Sequence, residues 1–372
     1  VEPLPAAFTD VRAGVLHSCG LVGDGAAYCW GFNESGQLGD GSRRDRTIPT
    51  PVLGTLRFSS LSPGGSHTCG VTPAGVYCWG LNLSGQLGDG GNADRATPGQ
   101  IGSNVALVSV TAGASYNCGL TSAGAAHCWG YNEYGQLGDG STVDQLLPTP
   151  VTGAQAFTAV GAYSFHTCGV TGGGVVYCWG RNEFGQLGNG TTAASMTPVQ
   201  ISGGLVFRAV DVGFWHTCGL VTDGTAYCWG RNNFGQLGIG TLDSTQVTQP
   251  LQVAGGRTFA SIDVGAAFTC AIEQATNAAF CWGYNGSGQL GASVQGECQD
   301  EAGFIVQCAL EPSPVSGGIA FQSISASTQH VCGLSTTSVA YCWGLGMNGQ
   351  LGDGTKGDQR FSLEPVRVAG QP

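Results

Sequence analysis

Lysine is almost absent from this chain. Of thirteen basic side chains only Lys356 is a lysine, and twenty-four acids bring the formal charge to −11 at pH 7. That balance leaves no basic stripe for a phosphate backbone and excludes direct nucleic-acid binding. Long apolar runs are missing too, so no segment approaches the roughly 20 residues of a membrane-spanning helix. Val1-Glu2-Pro3 lacks the basic start of a secretory signal, so the chain is expected to be soluble, with a mature form lacking its targeting segment as one reading left open. There is no Walker loop, dinucleotide fingerprint, metal triad or Ser/His/acid signature, which argues against an enzyme and against any cofactor.

What is abundant is repetition. Cys-Trp-Gly recurs at Trp30, Trp79, Trp129, Trp179, Trp229, Trp282 and Trp343, at spacings of 49, 50, 50, 50, 53 and 61 residues. A period near 50 marks a repeat architecture in which one supersecondary unit buries its apolar face only against copies of itself. The repeats run from Phe8 to Val368 without a linker, so residues 1–372 read as one domain, with an insertion at 292–311 that accounts for the longest spacing.

Each repeat divides into four strand-like pieces separated by Gly, Asp and Pro, and the fourth carries Pro, which suits an outer edge because it cannot donate a ladder hydrogen bond. Four pieces in seven copies specify an all-β, seven-bladed propeller with four-stranded antiparallel blades. The ring is expected to be closed by the two termini, with the last strand a candidate to complete the blade begun near Phe8.

Sixteen cysteines form eight local pairs: Cys19 with Cys29, Cys69 with Cys78, Cys118 with Cys128, Cys168 with Cys178, Cys218 with Cys228, Cys270 with Cys281, Cys298 with Cys308 and Cys332 with Cys342. Seven flank a hairpin turn, where antiparallel strands place Cβ atoms opposite each other; the pair of Cys298 and Cys308 staples the insertion. Zinc hooks and reduced structural cysteines are the alternatives, but zinc hooks use closer spacing. Disulfides imply a secreted, periplasmic or cell-surface protein.

Gly-x-x-His-Thr-Cys-Gly-Leu followed by Tyr-Cys-Trp-Gly-x-Asn-x-x-Gly-Gln-Leu-Gly resembles the regulator of chromosome condensation repeat family. The resemblance covers nearly the whole chain and implies the same propeller, here of the secreted bacterial type. Members include a nucleotide exchange factor, a plant UV-B photoreceptor, ubiquitin-ligase modules and secreted inhibitors of β-lactamase, which mostly hold another protein on one propeller face.

Positions repeated in all copies read as scaffold. Five histidines, His17, His67, His166, His216 and His330, occupy one slot, shared with Tyr116 and Phe268. Blades stacked about 10 Å apart hold them too far from one another to share a metal ion. Asn33, Asn82, Asn189 and Asn285 begin Asn-x-Ser/Thr sequons whose use depends on the host. Two sets of loop positions vary instead: those just before the histidine slot, with Phe165 read as lying in a stretch one residue longer than its counterparts, and those just after Trp-Gly. By resemblance to the photoreceptor both sets share one face. Tyr131, Tyr163, Phe165, Arg181, Phe214, Trp215, Arg231 and Tyr284, with Glu133 and Glu183 beside them, are therefore the candidate partner site, and their types are those enriched at binding hot spots. The expected function is non-enzymatic protein or peptide binding; a glycan-binding lectin is the alternative, and exchange on a GTPase is set aside by the cysteines.

Overall fold

The computed structural model describes residues 4, 6–300 and 302–372, and it is the ring that the repeats specify. Seven antiparallel sheets follow one another around an axis, spanning 8–51, 60–100, 107–150, 157–200, 207–252, 259–314 and 321–367. These are called blades one to seven. In blade one the strands Phe8–Ala13, His17–Val22, Ala27–Gly31 and Arg46–Pro51 pair in chain order. The first strand of every blade lines the central channel, and the fourth, with its prolines, forms the rim.

Each disulfide closes its own blade, as the local spacing predicts. Cys19 faces Cys29 across the second and third strands with Cα atoms 4.1 Å apart. The same register and the same separation of 4.1 Å join Cys69 to Cys78, Cys118 to Cys128 and Cys168 to Cys178 in blades two to four. Blades five to seven repeat it, with Cys218 bonded to Cys228, Cys270 to Cys281 and Cys332 to Cys342. Cys298 and Cys308 are bonded in the insertion, and no cysteine is free among the described residues.

Between blades the latch is a repeated set of buried hydrogen bonds. The Gln37 carbonyl accepts from Trp79 Nε1 and from the Thr68 hydroxyl in the next blade, both at 2.9 Å. The Thr68 proton is thereby committed, so His17 Nε2 must donate to Thr68 Oγ1, at 2.8 Å. The same relay joins His166 to Thr217, His216 to Thr269 and His330 to Ser18, while His67 donates to the acceptor-only Asn117 Oδ1. In blade six Phe268 replaces the histidine and Val331 replaces the threonine it would face, so the polar pair is exchanged for an apolar one within one core cluster. Gly188 shows why Leu-Gly closes each loop: a Cβ there would lie 2.6 Å from Trp229 Nε1, and its φ of +66° disfavours other residues.

The ring closes without exchange of strands, which corrects the expectation for the last strand. Phe361–Arg367 pairs with Ala340–Leu345 in its own blade, because blade one already has four strands. Closure uses the ordinary latch, Trp30 and Ser18 donating to the Gln350 carbonyl, plus a bond of 2.7 Å from Leu4 N to Gly370 O.

The insertion is a hairpin grafted onto blade six. Gly296–Gln299 pairs with the lengthened outer strand Ile305–Pro314, adding a fifth strand at the edge of the sheet. Residues at the ends of 292–311 belong to the scaffold, which narrows the expected excursion. Val294 is buried in the core, and Leu310 packs on Gly235 of blade five as Met196 packs on Gly135.

Candidate functional site

The loops after the first and third strands of a blade emerge at the same end of the ring. Main-chain bonds hold them together: Arg181 N donates to Phe165 O at 2.9 Å, Arg231 N to Trp215 O at 3.0 Å and Tyr131 N to Ser115 O at 3.0 Å. Both variable sets therefore lie on one face, and in blades three to five their side chains meet.

Phe165 is the hub. Its ring lies 5.1 Å from Phe214, 5.3 Å from Trp215 and 5.0 Å from Tyr134, which in turn meets Tyr131 at 6.5 Å. Trp215 contacts Phe214 at 4.7 Å and Phe184 at 5.2 Å. The Arg181 guanidinium stacks over Trp215, Tyr134 and Phe165 at 4.3, 4.7 and 5.3 Å, and Arg231 stacks over Phe184 at 4.7 Å. Phe214, Trp215, Phe165 and Arg181 are all partly exposed, so this is surface rather than core.

Charge on the patch is largely internally balanced. Arg181 is paired with Glu183 at 2.5 Å, and the Tyr131 hydroxyl donates to Glu133. Desolvation first, then the Glu133 carboxylate, raise the Tyr131 pKa above its ordinary range. What the face offers is a rigid π surface with oriented guanidinium donors, which suits contact area with direction more than attraction of free ions.

Two candidate residues stand apart. Tyr163 occupies a slot that is glycine in five blades, so the stretch to His166 has the same length as its counterparts and not one residue more. Its hydroxyl lies 2.9 Å from Thr328 Oγ1 of blade seven, at the mouth of the channel, and burial pushes its pKa up to about 12. Tyr284 meets Phe234 at 5.1 Å, further around the face.

Three aromatics escaped the sequence reading: Tyr134, Phe184 and Phe234. They fill the position before Gly-Gln-Leu-Gly, where the other copies carry Ser35, Ser84, Ser287 and Asn348. That contrast between copies was a usable signal. Of the four sequons, Asn33, Asn82 and Asn285 are buried, and each side-chain oxygen accepts from the Leu amide five residues on, so only Asn189 is accessible.

The channel holds a cavity of about 380 Å³ whose polar residues are mostly latches. Asp211 accepts from Val264 N at 2.7 Å and Asp263 from Ala326 N at 2.6 Å, as Ser62 accepts from Ala112 N at 2.8 Å. Desolvation raises the Asp211 pKa to about 6, and desolvation with the neighbouring Asp211 charge raises that of Asp263. Among the described residues no three His, Cys, Asp or Glu side chains converge on a metal position.

Comparison with known proteins bears on the family and the fold. A family model described as RCC1-like domain matches residues 2–306. The chain belongs to the RCC1-like family. Yeast RCC1 (Prp20), solved bound to Kap60, superposes with a TM-score of 0.81 at 21% identity, covering 98% of this chain and 85% of that one. Human WBSCR16 gives 0.78 at 20% identity over 90% and 89%. At these identities the likeness is one of fold. Among curated relatives, the human probable E3 ubiquitin-protein ligase HERC3 is 39% identical over 77 residues, and the mitochondrial RCC1 domain-containing protein RUG3 of Arabidopsis thaliana is 30% identical over 82. Each alignment spans 20% of this RCC1-like chain, and only 7% and 18% of the two relatives.

Proposed function

We propose that this RCC1-like propeller is a non-enzymatic binding protein of an extracellular or periplasmic compartment, and that it grips a protein or peptide with the aromatic and arginine face of blades three to six. The observation that carries the reading is the cluster centred on Phe165, Trp215 and Arg181. Seven other tryptophans are buried in the latch, whereas Trp215 is part of no latch and lies partly exposed among rings that other blades lack. Tyr, Trp and Arg in a half-buried, pre-stacked arrangement lose little freedom on binding and present large contact area. Eight disulfides support an oxidising location. Yeast Prp20 is described as binding Gsp1p and histones, which fits use of this fold to hold proteins.

Affinity capture from the native extracellular milieu, followed by titration of wild type and Trp215→Ala, tests the proposal. Loss of affinity with unchanged melting supports it, and equal affinity refutes the site. The lectin reading draws on the partly exposed rings beside Glu133 and Glu183. It would prevail if an array of glycans bound and no protein partner did. A single composite cluster, rather than seven equal ones, favours a protein.

A further inference from the structure

We propose that the hairpin of blade six receives an extended, lysine- or arginine-bearing segment of the partner as an added β-strand along Gly296–Gln299. The inference rests on the reading that this face holds a protein or peptide, and it names the chemistry of one segment and the edge that takes it.

Gly296–Gln299 is the last strand of its sheet, and its second side pairs with no strand among the described residues. An open edge presents unsatisfied N–H and C=O groups that template another strand. The Cys298–Cys308 bond fixes this edge to the rest of the sheet, so little order is lost when a strand is added. Beside the edge lies a groove of about 510 Å³ between blades five and six, lined by Asn233, Leu242, Glu297, Cys298, Gln299 and Ile305. Leu242 and Ile305 are 45% and 64% exposed there, and Phe304 at the hairpin tip is 70% exposed. These apolar surfaces are available to alternate side chains of an incoming strand.

Charge selects the occupant. Residues 292–311 contain Glu297, Asp300, Glu301 and Glu311 but no lysine or arginine. Among the described residues none of Glu297, Asp300 and Glu311 forms an ion pair. A second copy of this chain would bring the same acids against them, so the edge repels self-pairing and attracts a cationic strand. The hairpin also joins the aromatic face: Tyr284 is opposite Cys308 in the ladder, Asn285 N donates to Gln307 O at 2.8 Å, and Tyr284 meets Phe234, the residue after groove-lining Asn233. A segment lying on the edge thus lies beside the face proposed for the rest of the partner.

The test uses the full oxidised protein and a fluorescent eight-residue peptide of alternating Lys and Val. Its controls are the same peptide N-methylated at alternate residues and a Glu-Val peptide. The Lys-Val peptide is expected to bind, more weakly as salt rises, and to slow amide exchange within residues 296–299. N-methylation should weaken it about ten-fold or more, since the added ladder is lost. Glu297→Pro should abolish binding by blocking the edge. Because proline can unseat the hairpin, Glu297→Lys, which spares the turn bonds from Ala302 N and Phe304 N to Asp300 and is verified by mapping of the intact Cys298–Cys308 bond, provides the second arm and should weaken Lys-Val binding and narrow its preference over Glu-Val. No binding at millimolar peptide, equal affinity after N-methylation, protection elsewhere, or indifference to charge reversal each overturns the proposal. If Trp215→Ala weakens the natural partner while the charge reversal does not, the face stands and the added strand fails. The opposite pattern leaves the hairpin and removes the face.

Discussion

Acidification should unfold this ring through its histidines, and the structure sets the size of the effect. His17, His166, His216 and His330 are fully buried, and burial lowers each pKa to about 3; burial likewise lowers that of His67 to about 4, with the Asn117 bond opposing. Every one donates through Nε2, and Nδ1 has no partner to share an added proton. Folded pKa values below the unfolded value of about 6.5 mean that the unfolded chain binds protons the ring refuses. The contribution is complete above pH 6.5 and is lost as pH falls toward the folded values. Asp211 and Asp263 act the other way, because their raised pKa values let the folded state bind up to two protons that unfolded carboxylates refuse until about pH 4. Five histidine protons oppose at most two carboxylate protons, so between about pH 6 and 4.5 the unfolded chain keeps an excess on the order of three protons, a slope of a few kcal/mol per pH unit. A typical stability of about 5–15 kcal/mol would then be consumed within a few pH units.

The perturbation is already present in blade six. His216→Phe with Thr269→Val transplants the Phe268 and Val331 pair into blade five and removes one titrating group, so the slope should fall by about 1.4 kcal/mol per pH unit. Guanidinium unfolding without reductant, followed by fluorescence of the buried tryptophans at several pH values, measures it. Where unfolding is irreversible, the unfolding rate replaces the equilibrium constant. A wild-type stability that is flat or rising from pH 6.5 to 5, or a double variant with the wild-type slope, refutes the reasoning.

Trp215→Ala should weaken partner binding by about 2 kcal/mol or more while shifting the melting temperature little, as titration and thermal unfolding of the same samples will show. Converting Cys218 and Cys228 to Ser should cost about 2–4 kcal/mol, whereas the same change at Cys298 and Cys308 should leave ring melting nearly unchanged and accelerate amide exchange only in the hairpin. Replacing 295–307 by a short turn, with Cys308→Ser, should preserve cooperative unfolding; removal of 292–311 should not, because it also takes Val294 and Leu310.

The ring was legible because the Trp, Gln and Gly of the latch each appear seven times with the same neighbours. Trp, the Gln that supplies a carbonyl and the Gly under the indole are local in sequence, and their repetition makes a nonlocal contact predictable. The end of the ring was less legible. A strand exchanged between termini and a strand kept at home leave the same sequence, and only the presence of Arg46–Pro51 in blade one decides between them. The insertion misled for a related reason: spacing measures its length, not where the outer strand resumes. Tyr163 was placed with the binding aromatics on residue type, yet it replaces a glycine beside the channel, where its hydroxyl is held by Thr328 of blade seven.

The same physics explains why the candidate site is confined to loops. The latch is made from the Gln carbonyl, the indole N–H and buried hydroxyls, so the residues just before the histidine slot and just after Trp-Gly contribute nothing obligatory to ring closure. Blade one carries Leu16 and Phe32 there, blade two Ser66 and Leu81, and blade five Trp215 and Arg231, with one backbone bond between the loops in all three. A face whose side chains change while its backbone hydrogen bonds persist can be specialised without cost to the scaffold. The stacked set at Phe165 is where this chain has used that freedom, because Arg181 from one loop and Trp215 from the next blade meet only when both loops are held in place. If that is correct, Arg181→Lys should weaken binding nearly as much as Arg181→Ala, since an ammonium keeps the charge but cannot stack as a plane. Full retention of affinity by Arg181→Lys would show that charge alone, and not the stacked face, recognises the partner.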